Sequence, residues 1–268
     1  MLCHSFGRRL RGGRLSQSAV FVLLGVAVPV LLAATFVQLR TETPAIHVPS
    51  NVAWTEENLA MASNGDAFRG SLLVKRCDHC HGVEGFSDRP TTPNLASLDR
   101  LAVWKQLQDF HYGKRISPVM QPIAAILSAR DSADLAAYYS MLPTFPDPQD
   151  NRSFPQAAPD PAQTNRAALL VALGDAQRGI PPCQSCHGPV AAVKAAPPLA
   201  TQNSDYVANQ LDRFASGTRA NDINMPMRIV ASQLTPDERH LLAQYYGAGF
   251  GRLPAGATIP PQGMKDMK

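Results

Sequence analysis

The pentapeptide Cys-x-x-Cys-His occurs twice, as Cys77-Asp78-His79-Cys80-His81 and as Cys183-Gln184-Ser185-Cys186-His187, and it takes up four of the five cysteines in 268 residues. Two thiols at i and i+3 share one face of a helical turn. From there they can add to the two vinyl groups of one porphyrin while the following histidine is carried under the iron, so the spacing reads as c-type haem attachment. Zinc would need the four thiolates together, yet roughly a hundred residues separate Cys80 from Cys183, far beyond compact finger spacing. A redox-active or structural disulfide does not require a histidine directly after each pair. The expectation is two covalently bound haem c groups, attached at Cys77, Cys80, Cys183 and Cys186, with His81 and His187 as proximal iron ligands.

The surroundings of the motif are duplicated as well. Gly65-Asp66-Ala67-Phe68-Arg69-Gly70 returns as Gly174-Asp175-Ala176-Gln177-Arg178-Gly179, Gln106-Leu107-Gln108-Asp109-Phe110 as Gln210-Leu211-Asp212-Arg213-Phe214, Gly113-Lys114-Arg115 as Gly217-Thr218-Arg219, and Tyr138-Tyr139 as Tyr245-Tyr246. Met120-Gln-Pro-Ile-Ala, with Leu127 seven residues after the methionine, aligns with Met227-Arg-Ile-Val-Ala and Leu234. A lone methionine is usually a core filler. The same position after a Gly-x-Arg loop in both copies selects Met120 and Met227 as distal ligands, with Met225 a competitor for the second. His111 and His240 are unmatched in the repeat and read as surface residues. Thioether opposite imidazole raises the reduction potential relative to two histidines.

Helices are expected from the Gly-Asp-Ala segment into each haem motif, over about Asp99–Tyr112 and Ser204–Ser216, and after the caps at Thr235-Pro236-Asp237-Glu238 and, more weakly, Ser128-Ala129-Arg130-Asp131. The tyrosine pairs read as packing for helix and haem. Pro93 and Pro197 share a repeat position where a carbonyl could accept the proximal histidine's Nδ1–H, or each is a plain loop proline. Arg115 and Arg219 could pair with haem propionates or be solvated loop charges.

Before the first copy, Ala19–Val37 is uncharged, and as a helix it spans roughly 28 Å, close to the hydrocarbon thickness. Four arginines precede it, and none of the first 39 residues is acidic. The positive-inside rule then keeps the N-terminus cytoplasmic and exports the rest. An uncleaved anchor over 19–39 fits better than a cleaved signal peptide, whose apolar core is shorter and whose exit carries small residues. Cys3 is left as a cytoplasmic thiol. Five of the 25 basic residues, Arg8, Arg9, Arg11, Arg14 and Arg40, precede residue 41, leaving 20 against 21 acidic ones. No basic face for nucleic acid is indicated. The remaining charge is divided, with residues 51–150 at net −3 and 151–268 at net +3, a dipole able to orient docking.

The organisation expected is all-α: a basic segment 1–18, a transmembrane helix 19–39, a stalk 40–61, a cytochrome domain 62–142, a Pro-rich linker 143–165, a second cytochrome domain 166–250 and a tail 251–268. Over about Gly65–Gly247 the paired motifs, each with its Gly-x-Arg loop and Met-x-x-Ile/Val-Ala-x-x-Leu segment, resemble the dihaem cytochrome c4 family of class I c-type cytochromes. The resemblance implies two tandem domains, each wrapping one haem, with haem edges close at the domain interface and electron transfer in the bacterial periplasm toward terminal oxidases. The anchor departs from that pattern. The function expected is single-electron transfer between a redox protein donor and acceptor at the inner membrane, with no small-molecule substrate. The alternatives are a tightly bound cytochrome subunit of a membrane dehydrogenase or oxidase complex, and a dihaem peroxidase, which would want one open iron position.

Overall fold

The computed structural model describes residues 50, 54–143, 161–188, 195–200 and 202–249. The expected basic segment, anchor and tail lie outside them, as does most of the linker. Among the described residues no helix is long and apolar enough to cross a membrane. There is no strand among them either, only one isolated bridge between Asp175 and Ile180.

The first lobe contains α1 (Glu56–Ser63), α2 (Ala67–Leu73), α3 (Lys75–His81), α4 (Arg100–His111), α5 (Met120–Ala125) and α6 (Ala129–Met141). The second contains α7 (Pro161–Ala172), α8 (Gln184–His187), α9 (Ser204–Ala215), α10 (Pro226–Gln233) and α11 (Pro236–Gly247). Both lobes fall in one compact unit, His47–Lys268. In each, the last helix is the hub: α6 packs on α1, α2 and α4, and α11 on α7 and α9.

Local signals explain the boundaries. Asp99 caps α4 by accepting from the Ala102 N–H. Thr235 and Glu238 form a reciprocal capping box at α11, and Ser128 and Asp131 form an equally complete one at α6, stronger than the weak cap expected there. Leu135 on α6 is 2% exposed, a burial that contributes roughly 1.5–3 kcal/mol. Gly65 and Gly70 let α2 approach α6: a Cβ at these positions would lie 2.0 Å from the Ala133 carbonyl oxygen and 2.1 Å from that of Asp134.

Three expectations change. Helix α1 begins in the stretch 40–61 read as a stalk and runs into the first lobe, where Ala62 is fully buried against Trp104, Ala133 and Ala136. Helix α7 begins at Pro161, within the expected linker. In the second copy the Gly-Asp-Ala segment makes only the 3-10 turn Ala176–Arg178. Asp175 still caps it through the Arg178 N–H, but Gly179 turns left-handed at φ 69° and Pro181-Pro182 deny the backbone donors a longer helix needs.

Candidate functional site

In the first lobe Cys77, Cys80 and His81 lie on α3, the histidine on its last residue. In the second, Cys183 is the N-cap of α8, and its carbonyl accepts from the Cys186 and His187 N–H groups, so the same turn forms. All four cysteines are free and partly buried. Among the described residues no three His, Cys, Asp or Glu side chains converge as a metal cluster, so the pairs do not combine into one zinc site. Burial pushes the Cys77 thiol up and the Cys183 thiol up to about 11. A thiol-exchange enzyme needs the opposite, a thiolate stabilised near neutral pH.

Each histidine is oriented alike. His81 Nδ1 lies 2.8 Å from the Pro93 carbonyl oxygen and His187 Nδ1 2.8 Å from that of Pro197. A carbonyl only accepts, so Nδ1 carries the hydrogen, and the lone pair sits on Nε2, as iron ligation requires. Burial lowers both proton affinities, outweighing the carbonyl contact, so both rings are neutral near pH 7. The two prolines are therefore more than loop residues.

Met120 opens α5 and is half-buried. Its N–H donates to Ser117 Oγ at 3.1 Å, and the Ser117 N–H donates to Gln121 Oε1 at 3.2 Å. His111, expected at the surface, is instead half-buried with Nδ1 donating to the Ala124 carbonyl at 2.9 Å, which ties α4 to the methionine's helix. His240 is exposed, as expected. Met227 packs half-buried against the second core, the one that Cys183 also touches. Met225 is the N-cap of α10, left-handed at φ 67° and 47% exposed. Asn224 is left-handed too, and Asp222 holds Arg228 at 2.7 Å, so a strained turn delivers Met227 to the core and leaves Met225 outside.

Arg115 is buried and Arg219 half-buried, so neither is a freely solvated loop charge. Each guanidinium lies over an aromatic ring of its own copy, Phe110 at 4.6 Å and Phe214 at 4.4 Å. Between the lobes they join a partly buried network: the repeat-matched Gln106 and Gln210, together with Tyr206, Lys105, Asp109 and Asn221. Lys105 pairs with Asp109 and donates to the Asn221 carbonyl at 2.5 Å, and Asn221 Nδ2 donates to Asp109 at 2.7 Å. Burial and the neighbouring Arg115 push the Arg219 guanidinium down to about 9. Among the described residues, Lys105, Arg115 and Arg219 share this network with one carboxylate, that of Asp109.

The residues fit two haems. The thiols are free at the attachment spacing, each imidazole is neutral with Nε2 unbonded among the described residues, and each lobe offers a half-buried methionine. The cations of that network suit propionates. Apolar Val119, Ile126 and Ile229, close to the methionines in the chain, are more than half exposed, surface that a flat macrocycle would cover. The tyrosine pairs are T-shaped and pack beside the first cysteine of each motif, as expected of packing residues.

No protein-family model matches the chain. It is 36% identical to a thiosulfate dehydrogenase electron acceptor of Stutzerimonas stutzeri over 67% of this chain and 81% of that one. It is 34% identical to cytochrome c4 of Thiocapsa roseopersicina over 63% of this chain and 84% of its relative. Among solved structures it resembles reduced recombinant cytochrome c4 from Pseudomonas stutzeri, with TM-score 0.59 and 32% identity, covering 68% of this chain and 98% of that one. Thiosulfate dehydrogenase TsdBA from Marichromatium purpuratum matches with TM-score 0.56 and 33% identity over 72% of this chain but only 39% of the other.

Proposed function

The chain belongs to the cytochrome c4 family of dihaem c-type cytochromes, and from that premise we propose that it passes single electrons from one redox protein to another in the bacterial periplasm. Relatives of this family are electron carriers rather than enzymes. When bound, each haem supplies a one-electron iron couple.

The chain's own residues do the rest. Cys77 and Cys80 fix one haem and Cys183 and Cys186 the other. His81 and His187, held by the Pro93 and Pro197 carbonyls, would offer Nε2 to the irons, and Met120 and Met227 would each offer a thioether sulfur. With a histidine and a methionine offered to each iron, the chain would leave no open position for a substrate, which disfavours a peroxidase. Arg115 and Arg219 offer charge to propionates in the interface. The observation that carries the reading is the duplicated constellation, motif, carbonyl-held histidine and half-buried methionine, built once in each lobe.

The donor we favour is a thiosulfate-oxidising dehydrogenase, because two relatives are named thiosulfate dehydrogenase electron acceptors and a similar solved structure is a thiosulfate dehydrogenase. A terminal oxidase is the acceptor, and the N-terminal apolar run ties the carrier to the inner membrane. The test is stopped-flow reduction of the purified holoprotein by a purified thiosulfate dehydrogenase with thiosulfate. Rapid reduction of both haems is expected. Reduction no faster than with thiosulfate alone would refute this donor, and a stable complex isolated from detergent extracts would favour the permanent-subunit alternative.

A further inference from the structure

Residues of the second lobe hold the loop that positions the first lobe's proximal histidine. Gln202, 5% exposed, accepts from the Asn94 N–H through Oε1 at 2.7 Å and donates through Nε2 to the Asn94 carbonyl at 3.0 Å. Asn203, 6% exposed, donates through Nδ2 to the Thr92 carbonyl at 2.6 Å and the Arg89 carbonyl at 3.1 Å. These contacts bracket Pro93, whose carbonyl accepts from His81. The hold continues inward: Asn94 Oδ1 accepts from the Ser87 N–H at 2.9 Å, and Ser87 Oγ donates to the Cys80 carbonyl at 2.8 Å. Among the described residues no hydrogen bond joins residues 195–200, the loop carrying Pro197, to the first lobe.

We infer that Gln202 and Asn203 are positioning residues for the first haem, setting through Pro93 the hydrogen bond that His81 makes and thereby its donor strength toward iron. The inference rests on the dihaem reading above. A well-held carbonyl on Nδ1–H makes the imidazole a stronger donor, which favours ferric iron and lowers the potential. Two repeats with the same ligands would in this way acquire different potentials, because among the described residues the Pro93 loop is braced by the other lobe and residues 195–200 are not. Docking of a partner that shifts the lobes would change the first potential and spare the second.

The test uses full-length holoprotein from cells competent in cytochrome maturation, as Gln202→Ala, Asn203→Ala and the milder Asn203→Ser. Arg213→Ala is the control, since Arg213 also crosses between lobes, to the Ile116 carbonyl at 3.1 Å, away from Pro93. Spectroscopic redox titration gives both potentials, assigned through Met120→His, and proton NMR follows exchange of the His81 Nδ1–H. The expected result is an upward shift of the first haem's potential with faster exchange of that proton, smaller in Asn203→Ser, while the second potential stays in place and Arg213→Ala changes neither. If both potentials stay, or move together, in proteins that keep two haems per chain, the positioning role is refuted and the dihaem reading stands. Absence of haem from the parent protein would overturn the reading itself.

Discussion

Arg115 and Arg219 occupy the same place in the two repeats, and each donates to the glutamine of both: Arg115 to Gln106 at 2.8 Å and Gln210 at 2.9 Å, Arg219 to Gln210 at 2.8 Å and Gln106 at 3.2 Å. The duplicated sequence thus makes a near-symmetric seam. The symmetry breaks at Asn221, which adds a third donor to Gln106 alone, at 3.0 Å.

Gln106→Leu therefore strands more partly buried donors than Gln210→Leu. At roughly 1–3 kcal/mol for a buried group left unpaired, Gln106→Leu is expected to be the more destabilising of the two. Denaturant midpoints of the two holoproteins check the order, and equal midpoints would count against the asymmetry.

Lys105→Met leaves Asp109 buried beside Ser50 and Asn221 without its ion-pair partner. Removing one member of a buried pair costs about 3–5 kcal/mol, whereas replacing both with apolar residues is often neutral. Lys105→Met combined with Asp109→Leu should then recover much of the stability lost in the single variant, as read by thermal melts in a double-mutant cycle.

Met227→Ala should remove the methionine–iron absorption band of one haem, and Met225→Ala should leave both bands in place. The exposed left-handed cap at Met225 is the reason. The reverse pattern would move the second distal ligand two residues back.

Glu238 is held down to about 2, first by its hydrogen bond from Arg178 and further by the Thr235 backbone and Arg166. A carboxylate whose folded value is depressed from 4.5 contributes stability that is complete above the unfolded value and is lost as pH falls toward the folded one. The second lobe should therefore weaken between about pH 4.5 and 2. Glu238→Gln is expected to be less stable at pH 7 and flatter across that window, a comparison made by melts against pH.

What the sequence disclosed was local or repeated. The attachment turn, the cap at Thr235, the spans of α4 and α9 and the carbonyls of Pro93 and Pro197 follow from short patterns, and the repeat makes Met120 and Met227 a matched pair. What stayed hidden depends on where the copies meet. Gln106 and Gln210 were visible as a matched pair, but nothing in a one-dimensional pattern shows that each serves the other copy's arginine. Lys105, Gln202 and Asn203 look like surface residues of polar segments and are buried only because the other lobe covers them. The failed helix at Ala176 was legible after the fact, in Gly179 and Pro181-Pro182, which override the capping aspartate shared with the first copy.

On the proposed function, each lobe would grip one haem iron between a carbonyl-held imidazole and a methionine sulfur. Spectroscopic redox titration of the matured protein addresses it most directly. Two one-electron steps, with methionine–iron absorption from both haems in the oxidised form, are the predicted result. A colourless protein, or oxidised haems lacking that absorption, would contradict it.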